Sequence, residues 1–525
     1  MKKKIKPELN NRCETYGSLS TRLSVNVQKL QDITGNSPDI TIRMIEVGAG
    51  VDMAVMYING LVESNTINNV IVKSLMREIE RENGQSWKGV KILSLIKKRV
   101  LSIGGVEDIY DMDQLLSSLF SGDTIILIQG YDRGLSASTL GWEHRGVEDS
   151  QSQTVIRGPK EGFTENLTTN TALLRRKIQS PQLWMEIKRI GRVTQTKVAV
   201  MYLKGIADEK VVAEVMHRLN RIDTDSILEG GYIEEFIQDA SFTPFPTIAN
   251  TERPDAVAGS VLEGQIAILV DGTPFVLLAP VTFFKFFQSS EDYYHRYDIS
   301  TFIRILRYTA FIMSILLPSL YIAVTTFHQE MLPTTLLISL MAQREGIPFP
   351  AFLEAIIMEI TFEILREAGV RMPRAIGPAI SIVGALVLGQ AAVQAGLVSA
   401  GMVIIVSFTA ISNFVAPAFN IAITARLLRF LFMVLAATLG LFGIVAGLVA
   451  ILIHMAGLRS FGVPYLMSMA PFVSANQKDI LVRVPWWAMF TRPRFINQQN
   501  SIRQGKNLQP SPSTNNREEF ESEKD

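Results

Sequence analysis

Cysteine is nearly absent from this sequence, with Cys13 the only one in 525 residues. A single thiol forms neither an intramolecular disulfide nor a thiolate metal site, which suits a chain kept in a reducing compartment. Histidine is almost as scarce. His144, His217, His295, His328 and His454 lie scattered without ligand spacing, and GxxxxGK[ST], HExxH and paired CxxC motifs are missing. Enzymatic chemistry, a cofactor and a metal centre are therefore not expected. Excess charge of either sign is lacking too, because 51 Lys and Arg offset 50 Asp and Glu to leave a formal net charge of +1. No global field gathers nucleic acid or an acidic partner. Met1-Lys2-Lys3-Lys4-Ile5-Lys6 carries the charge of a signal n-region. No apolar h-region follows, so a cleaved signal is not expected and the soluble part should remain in the cytoplasm.

What the chain does have is long uncharged apolar runs, confined to its second half. Tyr308 to Phe327 is one, Ala375 to Ala425 is long enough for two passes, and Phe430 to Leu458 is another, against about 20 apolar residues needed per span. The expected fold class is an α/β soluble N-terminal region of two similar subdomains, followed by an α-helical polytopic membrane domain. The boundaries read as a flexible basic N-terminus (1–39), cytoplasmic α/β subdomain 1 (40–150), a connector (151–189) and cytoplasmic α/β subdomain 2 (190–300). A transmembrane helical domain (301–460), an interfacial segment (461–496) and a disordered tail (497–525) complete the chain.

Two subdomains follow from a duplication. Ala54-Val55-Met56-Tyr57-Ile58-Asn59-Gly60 returns as Ala199-Val200-Met201-Tyr202-Leu203-Lys204-Gly205, and Gly122-Asp123-Thr124-Ile125-Ile126-Leu127-Ile128 as Gly264-Gln265-Ile266-Ala267-Ile268-Leu269-Val270, in the same order. Strand then helix is the expected local order, and Asp271-Gly272 marks a hairpin turn. Between the copies, Leu173-Leu174-Arg175-Arg176-Lys177-Ile178 reads as a short basic helix in a solvated connector, with a coupling element against a partner as the alternative. Near the C-terminus, Pro485-Trp486-Trp487 followed by Arg492-Pro493-Arg494 mixes indoles and arginines in the manner of a headgroup-level segment. A packed soluble turn is the alternative.

Arg304 and Arg307 precede the first span, Arg366, Arg371 and Arg374 the next block, and Arg426 and Arg429 separate the later ones. Positive-inside bias places all three groups in the cytoplasm. The chain then goes out along 308 to 327, back along 351 to 365, out along 376 to 397, back along 399 to 422 and out along 430 to 457. Residues 332 to 341 are too short to span. This count strands the basic C-terminal segment outside, so either 461 to 473 helps the chain return or one span is half-inserted.

The segment from Ala351 to Glu367 combines span-like apolarity with Glu354, Glu359, Glu363 and Glu367. At about 100° per residue the last three form one stripe, and Glu354 faces elsewhere. An ionised acid at the bilayer centre costs about 2.5 to 3.5 kcal/mol on insertion scales, so the stripe is expected to face water, another subunit or a pore. Rings of glutamate around an axis would favour cations. The competing reading is an amphipathic helix at the membrane surface. Gly443 and Gly447 form a GxxxG, read as a helix-packing face.

Phe163-Thr164-Glu165-Asn166-Leu167, Leu174-Arg175-Arg176-Lys177-Ile178, Asp271-Gly272-Thr273-Pro274-Phe275, Gln288-Ser289-Ser290-Glu291-Asp292-Tyr293-Tyr294, Arg344-Glu345-Gly346-Ile347-Pro348-Phe349-Pro350 and Leu365-Arg366-Glu367-Ala368-Gly369 occur in order. Together they resemble the A subunit of the GerA family of spore germination receptors. The resemblance implies a nutrient receptor of the spore inner membrane that acts with a transporter-like B subunit and a lipoprotein C subunit. It also implies A subunits that oligomerise around a gated cation pathway, with Glu354, Glu359, Glu363 and Glu367 as candidate pore-lining residues. Three other readings stay open: a germination-amplifying paralogue found with the dipicolinic acid release channel, a secondary transporter, and a scaffold.

Overall fold

The computed structural model describes residues 16–47, 51–73, 97, 105–141, 153, 155–371, 389–473, 476–492, 500–505 and 508–510. They divide into two units: Met1–Thr154, Pro159–Phe236 and Asn250–Leu278 in the first, and Val155–Gly158, Ile237–Ala249 and Ala279–Asp525 in the second.

The first unit holds α1 (Leu23–Thr34), β1 (Ile40–Val47), β2 (Val51–Ile58), β3 (Val106–Ile109), α2 (Met112–Ser121), β4 (Thr124–Ile128) and β5 (Gly134–Ala137). The second copy follows as α3 (Leu167–Lys177), β6 (Leu183–Ile190), β7 (Thr196–Leu203), α4 (Glu209–Arg221), α5 (Gly230–Ile237), β8 (Ala249–Thr251), α6 (Pro254–Leu262), β9 (Ile266–Val270) and β10 (Val276–Ala279). The two sheets share one topology, β1-β2-β4-β5-β3 and β6-β7-β9-β10-β8. The repeated residues also meet in the same register, since Ala54 pairs with Leu127 and Ala199 with Leu269. A one-residue slip would exchange the side chains of the two faces of each strand. Central strands β4 and β9 are buried along their whole length, which explains their continuous rather than alternating apolarity. Gly122 and Gly264 end their preceding helices in the left-handed region, at φ 98° and 97°, where a glycine meets no Cβ penalty.

Two expectations are corrected here. Residues 16–39 belong to the fold: α1 buries Leu23 and Leu30 among Leu19, Met56 and Leu115. The cause is an apolar stripe at one-turn spacing, missed because polar residues outnumber it. Residues 1–15 and most of the 497–525 tail lie outside the described residues. The basic helix α3 is likewise not a uniformly solvated face. Arg175 is fully buried, donates from Nε to Asp39 at 2.7 Å and from Nη2 to the other Asp39 oxygen at 3.1 Å, and reaches the Leu183 carbonyl at 2.5 Å. This bidentate pair ties the start of β1 in one copy to the start of β6 in the other, within one unit.

In α5, burial first, then Glu229 and Glu235, push the Glu234 carboxyl up to about 7. The folded value lies above the unfolded one, so the associated stability is complete below pH 4.5 and is lost as pH rises through about 7. Glu234→Gln is expected to raise the melting temperature of the soluble unit's transition at pH 8 and to leave it nearly unchanged at pH 5. Equal shifts at both pH values would contradict this assignment.

The second unit is built on α7 (Tyr297–Thr326), α8 (Thr334–Arg344), α9 (Ala351–Arg371), α10 (Ala400–Phe414) and α11 (Phe419–Gly457). By length and composition α7 and α11 are long and apolar enough to cross a membrane. At 39 residues, however, α11 would measure about 58 Å if straight, nearly twice a hydrocarbon core. It is not straight. Gly440 has φ 61° and ψ −141°, and a Cβ placed on Gly443 would stand 2.3 Å from the Leu435 carbonyl oxygen. Residues eight apart on a straight helix are about 12 Å apart, so the chain reverses at Gly440 and 441–457 packs back along 419–439. Phe430 to Leu458, read above as one pass, is thus mostly the two arms of a helical hairpin.

Side-chain contacts give each helix a direction. Arg429 reaches Ser314, and His328, just past the end of α7, abuts Gly440, so α7 and the first arm of α11 run parallel. Glu359 meets Arg429 and Glu363 meets Arg426, so α9 runs opposite to that arm. Glu354 contacts Ser399 and the Arg366 guanidinium lies over Phe414, so α10 runs with α9. Arg371 and Ser399 therefore lie at opposite ends of the bundle. The expected outward pass along 376 to 397 falls largely outside the described residues.

Candidate functional site

Helix α9 carries the four glutamates, and each has a different environment. Glu354 is fully buried. It accepts from the Ser399 backbone N–H at 2.7 Å and from the Ser399 hydroxyl, while Ser399 itself caps α10 by accepting from Met402 N–H. The carboxylate thus sits at a helix N-terminus, where the dipole favours negative charge. Arg344 Nε stands 3.8 Å from its second oxygen.

Glu359 is also fully buried, paired with Arg429 at 2.5 Å. Arg429 Nε donates to the Ser314 carbonyl at 2.8 Å. That carbonyl is free for a covalent reason: in a helix it would bond the N–H of residue 318, and Pro318 has none. The proline in α7 therefore supplies an acceptor for a buried guanidinium as well as a bend.

Glu363 is partly exposed and lies between Arg426 at 3.0 Å and Arg366 at 3.6 Å. Glu367, 64% exposed, pairs with Arg371 at 2.6 Å one turn further on. These last two carboxylates open onto a groove lined by Ile360, Ile364, Ala368, Arg371 and Phe430. One oxygen on each of Glu354, Glu359 and Glu363 has no hydrogen-bond partner among the described residues.

Sequence reasoning found the acids and the angular offset of Glu354 but missed their partners. In the sequence Arg426 and Arg429 read as charges between spans; in the structure they pair with Glu363 and Glu359. The signal was present in the spacing, since Glu359 and Glu363 are four apart on one helix and Arg429 and Arg426 three apart on another, which matches when the helices are antiparallel. Gly443 and Gly447 lie against the first arm of the same helix, where a Cβ on Gly447 would stand 2.8 Å from Leu435 and Phe432 side-chain atoms. Among the described residues no cluster of His, Cys, Asp and Glu suited to a metal occurs.

Residues 28–495 match the family described as Bacillus/Clostridium GerA spore germination protein. The chain is 50% identical over 496 residues to spore germination protein KA of Bacillus subtilis, spanning 94% of this chain and 90% of that one. It is 43% identical to the membrane protein YfkQ of the same species, over 95% and 96% of the two chains. It is also 37% identical to spore germination protein GerLA of Bacillus cereus, over 90% and 96%. The crystal structure of the N-terminal domain of the A subunit of the Bacillus megaterium spore germinant receptor GerK3 is 43% identical, covering 51% of this chain and 98% of that one at a TM-score of 0.41.

Proposed function

Because this chain belongs to the GerA family of spore germination proteins, we propose that it is the A subunit of a nutrient germinant receptor. In this reading it is a multi-pass protein of the spore inner membrane, works with transporter-like B and lipoprotein C subunits, and oligomerises around a nutrient-gated cation path. The observation that carries the cation path is the division of labour along α9. All four are paired with arginines of the same protomer, but Glu354 and Glu359 are fully buried, whereas Glu363 and Glu367 line a groove. We assign Glu363 and Glu367 to the path and Glu354 and Glu359 to bracing it, since carboxylates facing an open surface are the ones able to attract cations.

Positive-inside bias on the first two arginine groups, Arg304 with Arg307 and Arg366 with Arg371, puts that end of the bundle on the cytoplasmic side. The reversal at Gly440 then supports a C-terminal segment that returns to the cytoplasm after α11. The stranded C-terminus of the charge count disappears once α11 is two passes.

The test is potassium efflux from spores whose only nutrient receptor is this protein with its neighbouring B and C subunits, challenged with single amino acids, sugars and nucleosides. Efflux evoked by a nutrient is expected, and Glu363→Gln with Glu367→Gln should lower its rate several-fold at unchanged receptor abundance. Silence across the panel from assembled receptor would refute the receptor reading. Undiminished efflux from the double variant would refute the assignment of the path alone.

A further inference from the structure

In the first unit, α5 and the residues just ahead of it turn an apolar stripe to water. Leu228, Tyr232 and Phe236, each four positions from the next, are 64, 45 and 54% exposed, while Ile227, Ile233 and Ile237 on the other side are buried. Residues four apart share one helical face, and large apolar side chains grouped in this way on a water-facing surface mark an interaction site. Carboxylates border the stripe. Glu229 and Glu235 are exposed, and after burial they are what holds the Glu234 carboxyl above its usual range. From Leu228 to Ile237 there is no Lys or Arg. Such a face repels an anionic leaflet and suits a partner that is both apolar and basic.

The duplication supplies one. Counting α5 back by the repeat spacing, Ala199 to Ala54 or Gly264 to Gly122, reaches residues 85–95 of the first copy. The stretch 85–99 carries five Lys or Arg and no acid, interspersed with apolar residues such as Val90, Ile92 and Leu93. Only Lys97 of it is among the described residues. We propose that the exposed face of α5 docks residues 85–99 of a second copy of this chain, so that the second α/β copy of one protomer meets the first α/β copy of the next. The inference rests on the reading of the chain as oligomeric and names the contact. Within one chain the two surfaces lie on opposite sides of the pair of sheets. Those sheets meet at β1 and β6, where Arg175 joins Asp39 to the Leu183 carbonyl and Met185 N–H donates to Ser37 Oγ at 3.1 Å. Lys97 pairs with Asp108 of β3, the far edge of the first sheet. α5 begins beside Thr273 and Leu277, with Leu277 on β10, next to the far edge of the second. A contact between unlike surfaces leaves one of each free on every protomer, and so continues from chain to chain until a ring closes.

Thiol cross-linking of the full chain, produced with its neighbouring subunits in sporulating cells, tests this. In a Cys13→Ser background, Phe236→Cys with Ile92→Cys should give, on oxidation with copper phenanthroline, a ladder of dimers, trimers and larger species that neither substitution gives alone. Tyr232→Cys with Ile92→Cys should give the same ladder. Glu235→Lys should cut the yield several-fold, and Lys91→Glu added to it should restore the yield. Amine cross-linking of the Cys13→Ser parent reports oligomers independently of this contact. Amine-linked oligomers without a thiol ladder would overturn the contact and leave the oligomeric reading standing, whereas absence of both would remove the two together. A dimer from Phe236→Cys alone would mean that α5 meets α5, and a double variant that consumes its thiols yet runs as a monomer would mean a contact within one chain. Either result overturns the proposal. A yield unchanged by Glu235→Lys would overturn the charge match that selects residues 85–99.

Discussion

Arg429→Leu is expected to destabilise the helical unit by about 3 to 5 kcal/mol, the cost of leaving one partner of a buried ion pair without the other. Glu359 would remain fully buried with its carboxylate facing apolar side chains, and the Ser314 carbonyl freed by Pro318 would lose its donor. Glu359→Leu alone should be similarly damaging, because Arg429 would then hold only that carbonyl. The double variant Arg429→Leu, Glu359→Leu should recover most of the loss, since apolar replacement of a whole buried pair is often neutral or stabilising. Abundance in membranes and the thermal midpoint of detergent-solubilised protein are the readouts. Independent, additive losses in the double variant would mean that the two side chains do not face each other. The cycle also separates stability from activity. A stable double variant that still germinates would restrict Glu359 to bracing, whereas a stable double variant without potassium efflux would give the pair a part in gating.

Gly443→Val should be at least as severe, with no folded protein recovered. Its Cβ would stand 2.3 Å from the Leu435 carbonyl oxygen and 2.9 Å from Leu439, and both obstacles are held by helical backbone, so the arms of the hairpin must separate. Losses above about 4 kcal/mol are exceptional for single substitutions and come from this kind of overpacking. Gly457→Val is the matched control in the same helix, as nothing lies within 4 Å of a Cβ there. It should cost under about 1 kcal/mol, the ordinary scale of propensity change. Normal accumulation of Gly443→Val would refute the reversal at Gly440, and with it the argument for a cytoplasmic C-terminal segment. Cysteine labelling from either side of the membrane at an engineered position in 500–505 gives an independent reading, made simple by the presence of only Cys13 in the native sequence.

The duplicated sheets were legible because each is written in local strings whose order and spacing survive in both copies, and identical pairings such as Ala54 with Leu127 and Ala199 with Leu269 follow from identical apolar patterns. The four glutamates and the helix carrying them were equally legible, since charge in an apolar run stands out and helical angle is arithmetic. The burial of Arg175 is not legible in the sequence, because a basic run reads as solvated until its acceptor, Asp39, is brought to it from 136 positions away. Gly440 carries no sequence signal of a turn, because glycine is common in apolar helices and only a left-handed φ beside His328 distinguishes a reversal from a continuing helix.

Composition, periodicity and the repeat thus determined by themselves that this chain joins a two-copy α/β region to an apolar helical one, and that one helix there carries acids at one-turn spacing. Those properties depend on residues near one another in sequence. Which carboxylates are buried against arginines and where a long apolar run turns back were decided only by tertiary structure. Each depends on a partner whose distance along the chain leaves no periodic trace, and on whether burial makes an uncompensated charge or an added Cβ intolerable.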